Sequence, residues 1–146
     1  MSDHTDTIKK LHTRVIDSRD GYKSSRERLE GNATYGGFFD QMISQRDEFA
    51  GEIRRQLGAE GTELDDDGSI LAAAHRTWQG LRDKVTGDDS GVYAEIVNGE
   101  EDLKAVYDEA IEATSGMAGW GFLAQQRAKV EEAINTARAE KERHAA

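Results

Sequence analysis

Val92-Tyr93-Ala94-Glu95-Ile96-Val97-Asn98-Gly99-Glu100-Glu101-Asp102-Leu103-Lys104-Ala105-Val106-Tyr107 is the stretch from which the fold can be read. Val92, Tyr93, Ile96, Val97, Leu103, Val106 and Tyr107, continued by Ile111, recur every three or four residues, the period of one helix face. Glu100 falls on that same stripe, where a bundle core is expected. A carboxylate in that register is a metal ligand, one half of a buried ion pair, or a group turned out to water, because an isolated buried charge is costly.

Outward from this helix the same period returns. A first helix is expected from about Thr5 to Leu29, with Ile8, Leu11, Val15, Tyr22 and Leu29 on one face. Glu30-Gly31-Asn32 reads as a break, and Asn32 is a suitable cap for a second helix from about Ala33. That helix carries Tyr35, Phe38, Phe39, Met42, Ile43, Phe49, Ile53 and Leu57, and is expected to stop near Gly58. After acid-rich sequence from Glu63 to Gly68, a shorter helix is expected from about Ser69 through Val85, with Trp78 on its inner face. Asp88 and Asp89 lead into the helix that holds Glu100, which should reach Ala113. Ser115 to Gly119 reads as a turn before a final helix bearing Phe122, Leu123, Val130, Ile134 and Ala137. Two long helices, a long crossover and two more long helices is the all-α order of a ferritin-like up-down bundle, with the second and third long helices parallel.

Composition agrees with this reading. The chain has 146 residues, suited to one domain spanning 1–146, and contains no proline to interrupt its helices. Without cysteine it forms no disulfide and offers no thiolate nucleophile or ligand. The formal charge of -10 opposes nucleic acid and anionic lipid. The longest apolar run is Ile70 to Ala74, too short to span a membrane, and the N-terminus has no secretory pattern. The expected location is the cytoplasm, and the expected partner is a second copy of the chain or another protein.

Four segments carry a family resemblance. They are Asp17-Ser18-Arg19-Asp20-Gly21-Tyr22, Phe49-Ala50-Gly51-Glu52-Ile53, His75-Arg76-Thr77-Trp78-Gln79-Gly80-Leu81 and Gly99-Glu100-Glu101-Asp102-Leu103-Lys104-Ala105-Val106-Tyr107. With these, the chain resembles a bacterial ferritin-like family of unknown function over about Ile8 to Arg138. The resemblance implies the four-helix bundle and suggests a stress-associated role, without bringing an activity.

A di-iron or di-manganese bundle needs inward carboxylates and two Glu-x-x-His pairs on adjacent turns. The histidines are His4, His12, His75 and His144, and none follows a glutamate by three residues. Ile134 stands where relatives of this resemblance often carry histidine. A metal reading would therefore rest on Glu100 with Asp20, Glu48 or Glu52, and is the alternative. The reading preferred on chemistry is a polar layer around Glu100, neutralised by Arg46 or Arg127. Gln45, Gln126 and Ser18 would supply hydrogen bonds, and Arg19 would reach the layer along its aliphatic stem.

Other chemistry is sparse. His12 reads as a boundary histidine satisfying a polar neighbour, and His75 as a packing residue of the crossover. Counting an EF-hand from Glu63 puts Ala74 where a bidentate glutamate is required, so Asp65, Asp66 and Asp67 read as a solvated turn. No nucleophile triad, phosphate loop or zinc pattern is present. Tyr22, Tyr107, Trp78 and Trp120 read as core or interface anchors, and Trp120 with Met117 and Phe122 is the candidate docking patch, provided that the indole is exposed. The sequence thus points to a non-enzymatic scaffold or binding protein without a cofactor. A metal-binding protein or oxidase and a small-ligand carrier are the competing readings.

Overall fold

In the computed structural model, residues 3–28, 33–64 and 89–145 are described. They contain helices α1 (Asp3–Arg28), α2 (Ala33–Ala59), α3 (Asp89–Ala113) and α4 (Phe122–Ala145). The break at Glu30-Gly31-Asn32 and the crossover expectations, from the acidic turn through His75, Trp78 and the short helix, lie outside the described residues.

Side-chain pairings along the helices give their directions. His4 meets Glu60 and Arg26 meets Asp40, so α1 and α2 run antiparallel. Lys10 reaches Glu109 while Ser18 reaches Glu100, which makes α1 antiparallel to α3. Arg127 pairs with Asp108 and Arg138 with Glu101, so α3 and α4 are antiparallel too. Arg46 lies level with Glu100, and farther along the same two helices Glu52 and Tyr107 both bond Gln126. Helices α2 and α3 are therefore parallel, as a long crossover requires. The result is an all-α, up-down four-helix bundle.

The core is divided. One cluster joins Ile8, Leu11 and Val15 of α1 to Phe49, Ile53 and Leu57 of α2, Leu103, Val106 and Tyr107 of α3, and Leu123 and Val130 of α4. The other joins Tyr22, Phe39, Met42, Val92, Tyr93, Ile96, Ala133 and Ala137. Ser18, Arg46 and Glu100 fall between these clusters on their respective helices, at 2%, 0% and 1% exposure. Full burial of each large apolar side chain favours folding by about 1.5–3 kcal/mol, so two such clusters can hold a polar layer between them.

Helix α2 ends near Gly58 as expected, but the left-handed residue of its cap is a later glycine. The helix continues to Ala59, and Gly61 takes the left-handed conformation at φ 92°. The Thr62 N–H donates to the Leu57 carbonyl at 2.8 Å and the Gly61 N–H to the Gly58 carbonyl at 3.0 Å, the two bonds of a Schellman cap. The turn after α3 also uses left-handed glycines, Gly116 at φ 79° and Gly119 at φ 94°. They bring Trp120 back over the end of the bundle.

Candidate functional site

Glu100 is reached from two other helices. Arg46 of α2 presents its guanidinium fork to it, Nη1 donating to Oε1 and Nη2 to Oε2, both at 2.6 Å. From α1, the Ser18 hydroxyl donates to Oε1 at 3.1 Å and the Tyr22 hydroxyl to Oε2 at 2.9 Å. Ser18 and Tyr22 are four residues apart, so they lie on one face of α1 and each meets one carboxylate oxygen. Both oxygens of Glu100 thus accept two hydrogen bonds, and the charge is matched by a fork of the same planar geometry.

Arg46 is equally well partnered. Its Nε donates to Gln45 Oε1 at 3.1 Å, Nη1 also to Ser18 Oγ at 2.9 Å, and Nη2 also to Met42 Sδ at 3.9 Å. The guanidinium lies over the rings of Tyr22 and Phe49, 5.6 and 5.8 Å from their centroids. Burial alone lowers a guanidinium pKa, and that is the largest effect here. The Glu100 charge, with smaller contributions from Tyr22 and the hydrogen bonds, outweighs it and holds the Arg46 pKa above its ordinary value. Burial, then the negative charge of Glu100, pushes the Tyr22 phenol well above its ordinary range, against the opposing Arg46 charge.

A second polar row lies beside this layer. The Tyr107 hydroxyl donates to Gln126 Oε1 at 2.7 Å, and the Gln126 amide donates to Glu52 Oε1 at 2.9 Å. Burial raises the Tyr107 pKa, with Arg46 opposing and Glu100 and Glu52 adding to it. The row links α3 to α4 and α4 to α2.

The expected layer residues divide accordingly. Arg46, Ser18 and Gln45 meet around Glu100, whereas Gln126 is buried in the neighbouring row. Arg127 corrects the sequence expectation. One residue on from Gln126, it is turned out of the core and pairs with Asp108 and, at 3.9 Å, with Glu131. Arg19 likewise leaves the layer, bridging Asp20 on its own helix and Asp47 on α2. Tyr22, Met42 and Phe49 belong to the apolar faces by period, and each also touches the Arg46–Glu100 pair. Their chemical part was visible as spacing, Tyr22 one turn from Ser18, and Met42 and Phe49 one turn to either side of Arg46.

The acids of the metal alternative are separated by the same contacts. Asp20 bonds Arg19, Glu52 bonds Gln126, and Glu48 is exposed. Among the described residues, no group of three or more histidine and carboxylate side chains is arranged to hold a metal. A di-metal pair does not fit the described layer, because the Arg46 guanidinium occupies lone pairs on both oxygens of Glu100.

Trp120 takes the core branch of its reading. It is 3% exposed, so the proposed patch lacks its exposed anchor, although Met117 is 37% exposed. Its indole N–H donates to Glu60 Oε2 at 2.8 Å, while His4 Nε2 bonds Glu60 Oε1 at 2.8 Å. Phe122 is partly buried against the same indole, with ring centroids 5.7 Å apart. Burial would raise the Glu60 pKa, but hydrogen bonds from His4, Trp120 and Gln56 outweigh it and lower the net value. His12 is buried, and its Nε2 lies 3.2 Å from Arg54 Nη1, where only the guanidinium can donate.

The model of a domain of unknown function, DUF2383, matches residues 3–113. The chain belongs to the DUF2383 family. The matched stretch contains α1, α2 and α3, and hence Ser18, Tyr22, Arg46 and Glu100, while α4 lies beyond it. The four-helix arrangement of the structure is consistent with the ferritin-like bundle expected from sequence. No curated protein and no solved structure matches the chain. None of the described helices is long and apolar enough to cross a membrane.

Proposed function

We propose that this DUF2383 protein is a non-catalytic helical scaffold or binding module that acts through its surfaces, on a second copy or on another protein. The observation that carries the reading is the bidentate Arg46–Glu100 pair, with donor and acceptor both buried. A ferritin-like oxidase needs carboxylates free to bind metal and open positions for a reactant. Here the mid-bundle carboxylate is engaged by four donors. Neighbouring positions carry amide and phenol groups in place of Glu-x-x-His pairs, which supports a structural layer. The acidic charge of the chain fits protein partners better than phosphate-rich ones.

Metal analysis of protein purified without chelator tests the proposal. Substoichiometric iron and manganese, unchanged in Glu100→Ala, is the expected result. One or two equivalents of metal lost on that substitution would establish the metal-binding reading in its place.

A further inference from the structure

We propose that the mid-bundle layer is a binding site for a planar guanidinium cation, filled by the chain's own Arg46, and not a vestigial metal site. This deepens the non-catalytic reading and rests on it. A guanidinium has five N–H donors in a fixed fork. Each has a partner here: Gln45 at Nε, Ser18 and Glu100 at Nη1, Met42 and Glu100 at Nη2. The Tyr22 and Phe49 rings complete the enclosure at cation–π distance.

This set of partners selects against a hard divalent metal. In a bundle such as this an iron or manganese pair draws its shell from several carboxylates and imidazoles. Among the described residues the layer has one carboxylate, Glu100, and its remaining partners include a thioether and two aromatic rings. Those soft and flat surfaces suit a weakly hydrated, delocalised cation. The fork also excludes a lysine ammonium as an equal substitute, since that point charge cannot reach both Glu100 oxygens in the same plane.

Arg46→Ala removes the occupant while keeping its acceptors, and N-ethylguanidinium supplies the missing atoms. Thermal unfolding of Arg46→Ala should shift upward by about 3–6 °C with millimolar N-ethylguanidinium, relative to equal sodium chloride. Wild type and the double variant Arg46→Ala/Glu100→Gln should show no such rise. If Arg46→Ala is unfolded alone, the expected result is folding on addition of the cation, read by circular dichroism. An equal response to sodium chloride, a larger response to manganese, or no folding with any cation would overturn the proposal.

A wild-type measurement stands beside it. In nitrogen-15 spectra, the Arg46 Nη protons should appear as separate slowly exchanging signals, because bonds on both amino groups block rotation. A single averaged signal would refute the enclosed site. Metal content of the wild type tests the non-catalytic reading on its own, so failure of one is distinguishable from failure of the other.

Discussion

Glu100 can keep its charge inside the bundle because four donors from three residues on α1 and α2 converge on its two oxygens. The consequence is asymmetric. Removing one partner leaves a buried charge without compensation, so Arg46→Ala or Glu100→Ala should cost about 3–5 kcal/mol in urea unfolding. Replacing both by apolar residues of similar size, Arg46→Met with Glu100→Leu, should return stability to within about 1–2 kcal/mol of wild type. A double variant less stable than either single would show that the pair contributes more than mutual neutralisation. At this scale the sequence was legible in part. The helical period singled out Glu100, and axial level nominated Arg46 and Arg127 together. What decides between them is the rotation of α4, about 100° between successive residues, which puts Gln126 inside and Arg127 outside. That rotation depends on packing of the whole face, which a single helix sequence does not specify.

The elements are joined at one end by a different group of contacts. Glu60, just past α2, holds His4 of α1 and Trp120 of the α3–α4 turn, and Gln56 lies against Gly119. Gly119 has φ 94°, and an added Cβ would collide with the Gln56 side chain. Gly116, with φ 79°, faces open space. Gly119→Ala should therefore destabilise the bundle by about 1–3 kcal/mol, and more than Gly116→Ala, by urea titration. Equal losses would mean that backbone conformation alone matters at the turn. Because the Glu60 pKa is lowered on folding, its contribution is present above the ordinary carboxylate range and is lost as pH falls through the folded value. Glu60→Gln should consequently flatten the fall in stability below about pH 4.5, as measured by thermal midpoints. The helix order and the Ser115 to Gly119 turn were readable from period and glycine. The choice between core and exposed anchor for Trp120 was not, because its partner Glu60 is distant in sequence and belongs to another helix end.

At the scale of the whole bundle, the two apolar clusters of the described residues have phenols buried at their junction. Tyr22 and Tyr107 are 1% and 0% exposed, and folding raises both their pKa values, chiefly through burial. A phenol in the unfolded chain ionises near pH 10, whereas these two resist ionisation until higher pH. The protonated form is thus the one the fold favours. Its contribution is complete below the unfolded value and is lost as pH rises above it. Each phenol should add a slope of about 1.4 kcal/mol per pH unit once the unfolded phenol is ionised. Urea midpoints between about pH 9 and 12 should therefore fall more steeply for wild type than for Tyr22→Phe/Tyr107→Phe. The double variant starts lower, having lost the bonds to Glu100 and Gln126, but it should lose less with each further pH unit. Lysines titrate in the same range in both proteins, so the difference between the two curves isolates the phenols. Parallel curves would mean that Tyr22 and Tyr107 ionise as readily in the bundle as in the unfolded chain, which the closed layer between the two clusters does not permit.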